Sequence, residues 1–265
     1  MSRLLAMSKW VGRLGGLLLA LMILFAVHAR ANDPDALWKI VDGQCVPDQK
    51  ERANPAPCAE VTIAGGADRG FAVLKDNAPS KPYHYLLIPT RRITGIESPS
   101  LLAPDAPGYF QDAFAARSYV ANAVHAALAP DMIGLAVNAA NFRSQNQLHI
   151  HIDCVRPEIR AALKAQEARL ADRWAELDFG SPDGAYMAMR LSADAFARAN
   201  PFLLLADGVA GAREHMDLET LIVVGAQFND GGQGFYVLSR RADGLVPAHG
   251  EDLLDPACRL ATGAK

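Results

Sequence analysis

The sequence predicts an antiparallel α+β fold, and three observations predict it. Its short β-type runs lie next to one another with few intervening helices, whereas a parallel sheet needs a long crossover between successive strands. Two pairs of runs are joined by turn-rich linkers of hairpin type: residues 76–82 between the runs 70–75 and 83–88, and Asn229-Asp-Gly-Gly232 between 219–228 and 234–239. Hydrophobic residues make up 51% of the 265 and charged residues 21%, which supports a buried core and excludes wholesale disorder.

The elements follow in order. Arg3, Lys9 and Arg13 precede an uncharged run over 14–27. That charge bias puts the first residues on the cytoplasmic side and everything from about Asn32 outside. The run is shorter than the roughly 20 residues a membrane span prefers, and Ala29-Arg30-Ala31 suits a signal cleavage site. Residues 1–31 are therefore expected to be either a membrane anchor or a removed signal, with 32–265 exported. In an oxidising compartment Cys45, Cys58, Cys154 and Cys258 become two disulfides. Three connectivities are open, and a local 45–58 bridge that leaves Cys154 to Cys258 is the simplest.

Residues 32–60 read as an irregular, Pro-rich lead-in, followed by the strands 70–75 and 83–88 and a loop to about Gly108. Phe110, Phe114, Val120, Val124 and Leu128 recur at helical spacing, so 109–128 is expected as an amphipathic helix stopped by Pro130. Strands are expected at 134–138 and 147–152, then a charged helix from Pro157 to about Trp174. In the second half a strand at 185–191 precedes a short helix capped by Ser192, which ends before Pro201; the hairpin 219–239 follows.

The chemistry concentrates in Ser144-Gln-Asn-Gln-Leu-His-Ile-His-Ile-Asp-Cys154. On a strand, alternate side chains share a face. Leu148, Ile150 and Ile152 are expected in the core, with Gln147, His149, His151 and Asp153 in a row facing outward. One reading makes neutral His151 a nucleophile towards phosphorus, its tautomer fixed by a bond from its other nitrogen to a carbonyl. A second makes His149, His151 and Asp153 ligands of a zinc ion that activates water. His-x-His-x-Asp opens the metallo-β-lactamase-like hydrolases, but these follow the aspartate with a histidine where this chain has Cys154. A third reading is a non-catalytic lipid- or nucleotide-binding module. The net charge of −3 gives no basic surface for nucleic acid, and none is expected as a partner.

The row resembles the signature of the histidine-triad superfamily, His-φ-His-φ-His-φ-φ with φ apolar. Gln145 and Asn146 match its polar pair before the first histidine, and Asn138 its asparagine on the preceding strand. Pro82-Tyr-His-Tyr-Leu-Leu-Ile-Pro89 with Arg91-Arg92 is similar to its strand ending in Ile-Pro and a basic pair. Asp153 stands where the third histidine would be. Within that superfamily the chain resembles the bacterial CDP-diacylglycerol pyrophosphatases over nearly its whole exported length. The similar stretches include Cys45-Val-Pro-Asp-Gln, Ile93-Thr-Gly-Ile-Glu-Ser-Pro, the row itself, Pro201-Phe-Leu-Leu-Leu-Ala and Ala212-Arg-Glu-His-Met216.

The resemblance implies a histidine-triad-like sheet with a catalytic half at about 60–160. A second half at about 175–265 would be its degenerate copy, so that one chain forms what smaller relatives build as a dimer; a homodimer of the whole chain is also allowed for. It implies hydrolysis of CDP-diacylglycerol to CMP and phosphatidate with no cofactor and no metal. His151 would be the nucleophile and His149 its orienting neighbour, with Asn138, Gln145, Asn146 and Asp153 towards the substrate. It also implies a single-pass protein of the bacterial inner membrane facing the periplasm, with secretion after cleavage as the alternative. His84, on an apolar strand, reads as a packed or interfacial residue. His125 reads as part of its helix, His215 as structural, and Arg91 and Arg92 as a solvated turn.

Overall fold

A computed structural model describes residues 33–264 apart from 64, 182–183 and 244–247. Nine strands form one sheet in the order β1-β2-β3-β5-β4-β8-β9-β7-β6. They are β1 (Glu60–Thr62), β2 (Phe71–Lys75), β3 (Tyr85–Pro89), β4 (Ile133–Val137), β5 (Ile150–Cys154), β6 (Ala175–Leu177), β7 (Tyr186–Ser192), β8 (Leu221–Gln227) and β9 (Gln233–Ser239). Every pairing is antiparallel. The α+β expectation therefore holds, with the hairpins β2–β3 and β8–β9 where the turn residues put them.

Period-two alternation divides the central strands between two cores. Val73, Leu87, Ile150, Ile152, Leu135 and Val223 join the larger one, on the face covered by the helices α3 (Tyr109–Ala115), α4 (Arg117–Val124), α6 (Ala193–Arg198) and α7 (Pro201–Gly208). Fully burying one such side chain contributes about 1.5–3 kcal/mol. The amphipathic helix expected over 109–128 is two helices meeting at Ala116, and it ends earlier, with His125 in the left-handed conformation as its cap (φ 58°).

The opposite face is covered as well. The lead-in is helical rather than irregular: α1 (Ala36–Ile40) runs through a wider turn (Val41–Cys45) into α2 (Val46–Arg52). Pro47 falls just after the wider turn, where the regular α-helical hydrogen-bond ladder is already interrupted. Val41, Cys45 and Val46 pack on Ala72, Leu74 and Leu86. Further along, α5 (Pro157–Ala165) and the C-terminal residues Leu253 and Leu254 pack on Ala136, Ile222 and Val224. The predicted helix from Pro157 stops well before Trp174, and β6 takes up 175–177.

Two disulfides close the structure, Cys45–Cys58 and Cys154–Cys258. The second ties the end of β5 to the C-terminal segment. Beside it the Asp255 N–H donates to the Cys154 carbonyl (2.7 Å), and Val155 bridges Leu254.

The single-pass membrane expectation is corrected. No helix among the described residues is long and apolar enough to cross a membrane, where a span needs about 20 apolar residues. The segment 1–31, on which that expectation rested, lies outside the described residues.

Candidate active site

β5 sits between β3 and β4, and its pairings aim the polar row. His151 stands opposite Leu86 on one side and Ala136 on the other, both on the face away from the larger core. Ile150 and Ile152 turn to the larger core as their alternation predicts. The row does not face solvent, however. His149 is 7% exposed, His151 5% and Asp153 not at all. The reason is the C-terminal segment, which folds back over this face. Gly250 makes that approach feasible: a Cβ there would meet the Val137 carbonyl oxygen at 3.0 Å and Ile222 at 3.1 Å.

The β3–β5 register extended by one step puts His84 across from Asp153 and on the same face as His151. The three side chains form a line. His84 Nδ1 lies 3.0 Å from Asp153 Oδ2, and His84 Nε2 lies 2.9 Å from His151 Nδ1. The far nitrogen of His151, Nε2, is buried and has no hydrogen-bond partner among the described residues. Asp153 Oδ1 accepts from the Cys154 N–H (2.8 Å). His149 donates from Nδ1 to the Gln147 carbonyl (2.7 Å), and its ring stands edge-on to His151 at 4.9 Å between centroids.

The electrostatics favour the neutral form of the His151 and His149 rings. Burial pushes His151 well below the ordinary histidine pKa, and the His149 and His84 rings and the Lys81 ammonium push the same way. Burial lowers His149 too, against the pull of the Gln147 carbonyl. Burial raises Asp153, opposed by the hydrogen bond from His84.

Over the row lies a pair from opposite ends of the chain. Lys81, in the β2–β3 linker, donates to Glu251 Oε2 at 2.5 Å, and that oxygen is 3.6 Å from His151 Nδ1. Asn138 locks Glu251 by donating from Nδ2 to Oε1 (2.9 Å) while its Oδ1 accepts from the Glu251 N–H (3.3 Å). Burial would raise the Glu251 pKa, but the bond and charge of Lys81 and the Asn138 amide outweigh it and hold the carboxylate ionised.

The expected site residues thus part company. His149, His151 and Asp153 stay together, and Asn138 reaches the site through Glu251. Gln145 is committed to the lead-in: its Oε1 accepts from the Leu37 N–H and its Nε2 donates to the Asp33 carbonyl, both at 3.0 Å. The Asn146 N–H likewise donates to the Pro34 carbonyl (2.6 Å). Gln147 is buried and knits the end of β3 to the row through the Pro89 and Arg91 carbonyls.

His84, Lys81 and Glu251 were not singled out as site residues from sequence. A lone histidine among apolar residues looks like packing, and only the strand register shows that it faces Asp153. Arg92 is exposed, as expected of a solvated turn, and from there it meets Asp35 and lies over the Trp38 ring at 5.5 Å, tying the turn to the lead-in. His215 is exposed. The zinc arrangement finds no support in the donor geometry: Asp153 and His151 direct their facing atoms at His84. Among the described residues no three His, Cys, Asp or Glu side chains are grouped to hold a metal.

Comparison with known proteins adds an independent line. Residues 32–262 match the profile of the family described as CDP-diacylglycerol pyrophosphatase. A CDP-diacylglycerol pyrophosphatase of Yersinia pestis is 39% identical over 251 residues, covering 92% of this chain and 93% of that protein.

Proposed function

The chain belongs to the CDP-diacylglycerol pyrophosphatase family and is an enzyme that hydrolyses CDP-diacylglycerol; from that premise we propose that His151 is its nucleophile. The observation that carries this reading is the unpartnered Nε2 of His151, on a ring kept neutral by burial and gripped at its other nitrogen. The Nε2 lone pair attacks the phosphorus that bears cytidine. The bond to the bridging oxygen breaks, and phosphatidate leaves with the electron pair; as a phosphate monoester it is a good leaving group. Water then attacks the same phosphorus, the Nε2–P bond breaks with its electron pair returning to nitrogen, and CMP is released.

A substrate reaching Nε2 must displace side chains that cover the ring. Lys81 and Glu251 are the more open neighbours, with side chains about a quarter exposed. The pyrophosphate brings negative charge into a site already holding Asp153 and Glu251, so it needs a cation. Lys81 exchanges Glu251 for the phosphoryl oxygens in this reading, the role the missing third histidine would otherwise fill. Lys81→Met is expected to raise KM for CDP-diacylglycerol by about 10- to 100-fold, the value of one hydrogen bond to a charged group. An unchanged KM would remove Lys81 from the binding step. Asn138 holds Glu251 ready for that exchange, Asn146 remains a polar contact for the ribose or phosphates, and Gln145 acts by fixing the loop.

The histidine-triad-like, duplicated sheet is part of the same proposal, supported by strand order. Each half runs hairpin, helices, then two further strands: β2–β3 with β4 and β5, and β6–β7 with β8 and β9. The halves meet at β4·β8, so the order reads β2-β3-β5-β4 against β8-β9-β7-β6. By that symmetry β9 takes the place of β5, and β9 (Gln233–Ser239) carries no histidine. The copy has no imidazole there, so one site per chain is expected.

Hydrolysis in 18O-enriched water tests which bond breaks. The label is expected in CMP; label in phosphatidate would place the attack on the other phosphorus and contradict the proposal.

A further inference from the structure

Sequence leaves Asp153 without a task, because an ionised carboxylate cannot donate to a phosphoryl oxygen. The structure gives it a different neighbour. Asp153 Oδ1 already accepts from the Cys154 N–H, and among the described residues the hydrogen-bond partner of Oδ2 is His84 Nδ1. An ionised carboxylate accepts only, so His84 must carry its proton on Nδ1. With that single proton on the His84 ring, its Nε2 is a bare lone pair, 2.9 Å from His151 Nδ1, and the contact is then a hydrogen bond only if His151 donates from Nδ1. A neutral imidazole has one N–H, so His151 Nε2 is left as a lone pair.

We propose that Asp153 and His84 are positioning residues, which hold His151 as its Nδ1–H tautomer and so make Nε2 the attacking atom. This rests on reading His151 as the nucleophile. The chain departs here from a tautomer fixed by a backbone carbonyl, since a second imidazole backed by a carboxylate takes that place. When Nε2 bonds to phosphorus the ring becomes cationic, its Nδ1 proton stays hydrogen-bonded to His84, and the ionised Asp153 at the end of the line offsets the new charge. No group need enter or leave for the line to act. One proton sits in each of its two links throughout.

Asp153→Asn inverts the line with little change of shape. The asparagine Oδ1 keeps the Cys154 N–H, so its Nδ2 occupies the Oδ2 position and must donate to His84 Nδ1. The proton of His84 moves to Nε2, His151 Nδ1 must accept, and the His151 proton moves to Nε2, where it blocks attack. His84→Gln is the contrasting variant: its amide reaches about where Nε2 stood, and its oxygen accepts from His151 Nδ1–H, so the productive tautomer survives without Asp153.

The test uses the full-length protein with 15N-labelled histidines and long-range 1H–15N correlation spectra at neutral pH, with His151 assigned by its loss in His151→Gln. The expected result is a bare Nε2 on His151 in wild type and in His84→Gln, and a protonated Nε2 in Asp153→Asn. Asp153→Asn is also expected to lose roughly 10^3- to 10^4-fold in kcat with KM little changed, the scale of an imposed wrong tautomer. His84→Gln should lose at least about tenfold less. A wild-type spectrum with Nε2 protonated overturns the proposal whether or not the variants fold, and so does an Asp153→Asn protein whose His151 keeps the wild-type tautomer. The tautomer is read without turnover. An inversion seen in a protein whose covalent adduct forms elsewhere would sustain the relay and sink the nucleophile; an adduct on His151 without the inversion would do the reverse.

Discussion

Replacing His151 with glutamine removes about 10^4-fold or more of kcat/KM for CDP-diacylglycerol, while the protein melts within a few degrees of wild type. The size follows from role: a nucleophile divides one difficult displacement into two easier ones, and no neighbour can take its place. His149 is the nearest imidazole on the row, but its Nδ1 is bound to the Gln147 carbonyl and its ring stands edge-on to His151. The pH dependence of the wild-type enzyme belongs to the same expectation. Attack needs the neutral ring, and burial holds its pKa below the ordinary value of about 6.5. The ring therefore stays neutral as pH falls through 6.5 and protonates only at the lower, depressed pKa; protonation of Asp153, whose own pKa burial raises, is the other acid-side event. An acid limb of kcat/KM at or above 6.5 would mean that the ring is not in the environment described, and substantial turnover by the glutamine variant would remove it from the chemistry.

The second large effect concerns the C-terminal segment. Cys154 and Cys258 are 104 residues apart, and closing a loop of about 100 residues is worth about 4–5 kcal/mol in the chain-entropy account. Cys258→Ser is expected to lower Tm by roughly 10–20 °C, given about 2–4 °C per kcal/mol for a domain of this size. The bond also serves the site. It anchors the segment from which Glu251 reaches Lys81 and Asn138, next to Asp153 on β5. The variant should therefore lose catalytic efficiency at temperatures where it is still folded. The Cys45–Cys58 bridge spans only 13 residues and holds the lead-in, so its removal should cost less, about 3 kcal/mol, and leave kcat nearly unchanged below the melt. Equal Tm values for Cys258→Ser and wild type under oxidising conditions would contradict the assigned role.

How much of this was legible beforehand depended on range. β5 and its row follow from alternation, and the two hairpins from their turn residues; both are local properties. His84 is missed because its meaning lies in a register: it faces Asp153 only once β3 and β5 are paired. Lys81 and Glu251 are 170 residues apart, and no periodicity links a linker lysine to a C-terminal turn. Alternation puts the row on the face opposite Leu148, Ile150 and Ile152 but does not say what covers that face; a layer built by the lead-in helices, α5 and the C-terminal turn does. The lead-in itself looked irregular because it is Pro-rich and Pro is a poor helix residue, yet Pro47 falls just after the wide turn. Gln145 matched a motif and turned out to be a fastener for residues 33–37.

The covalent step can be read directly. Enzyme mixed with CDP-diacylglycerol radiolabelled in the cytidylyl phosphate, quenched in alkali where phosphoramidates survive, and digested to peptides should yield label on the peptide carrying His151, bonded at Nε2. Label on His149, on His84 or on a carboxylate, or turnover with no protein-bound label at any quench time, would contradict the account.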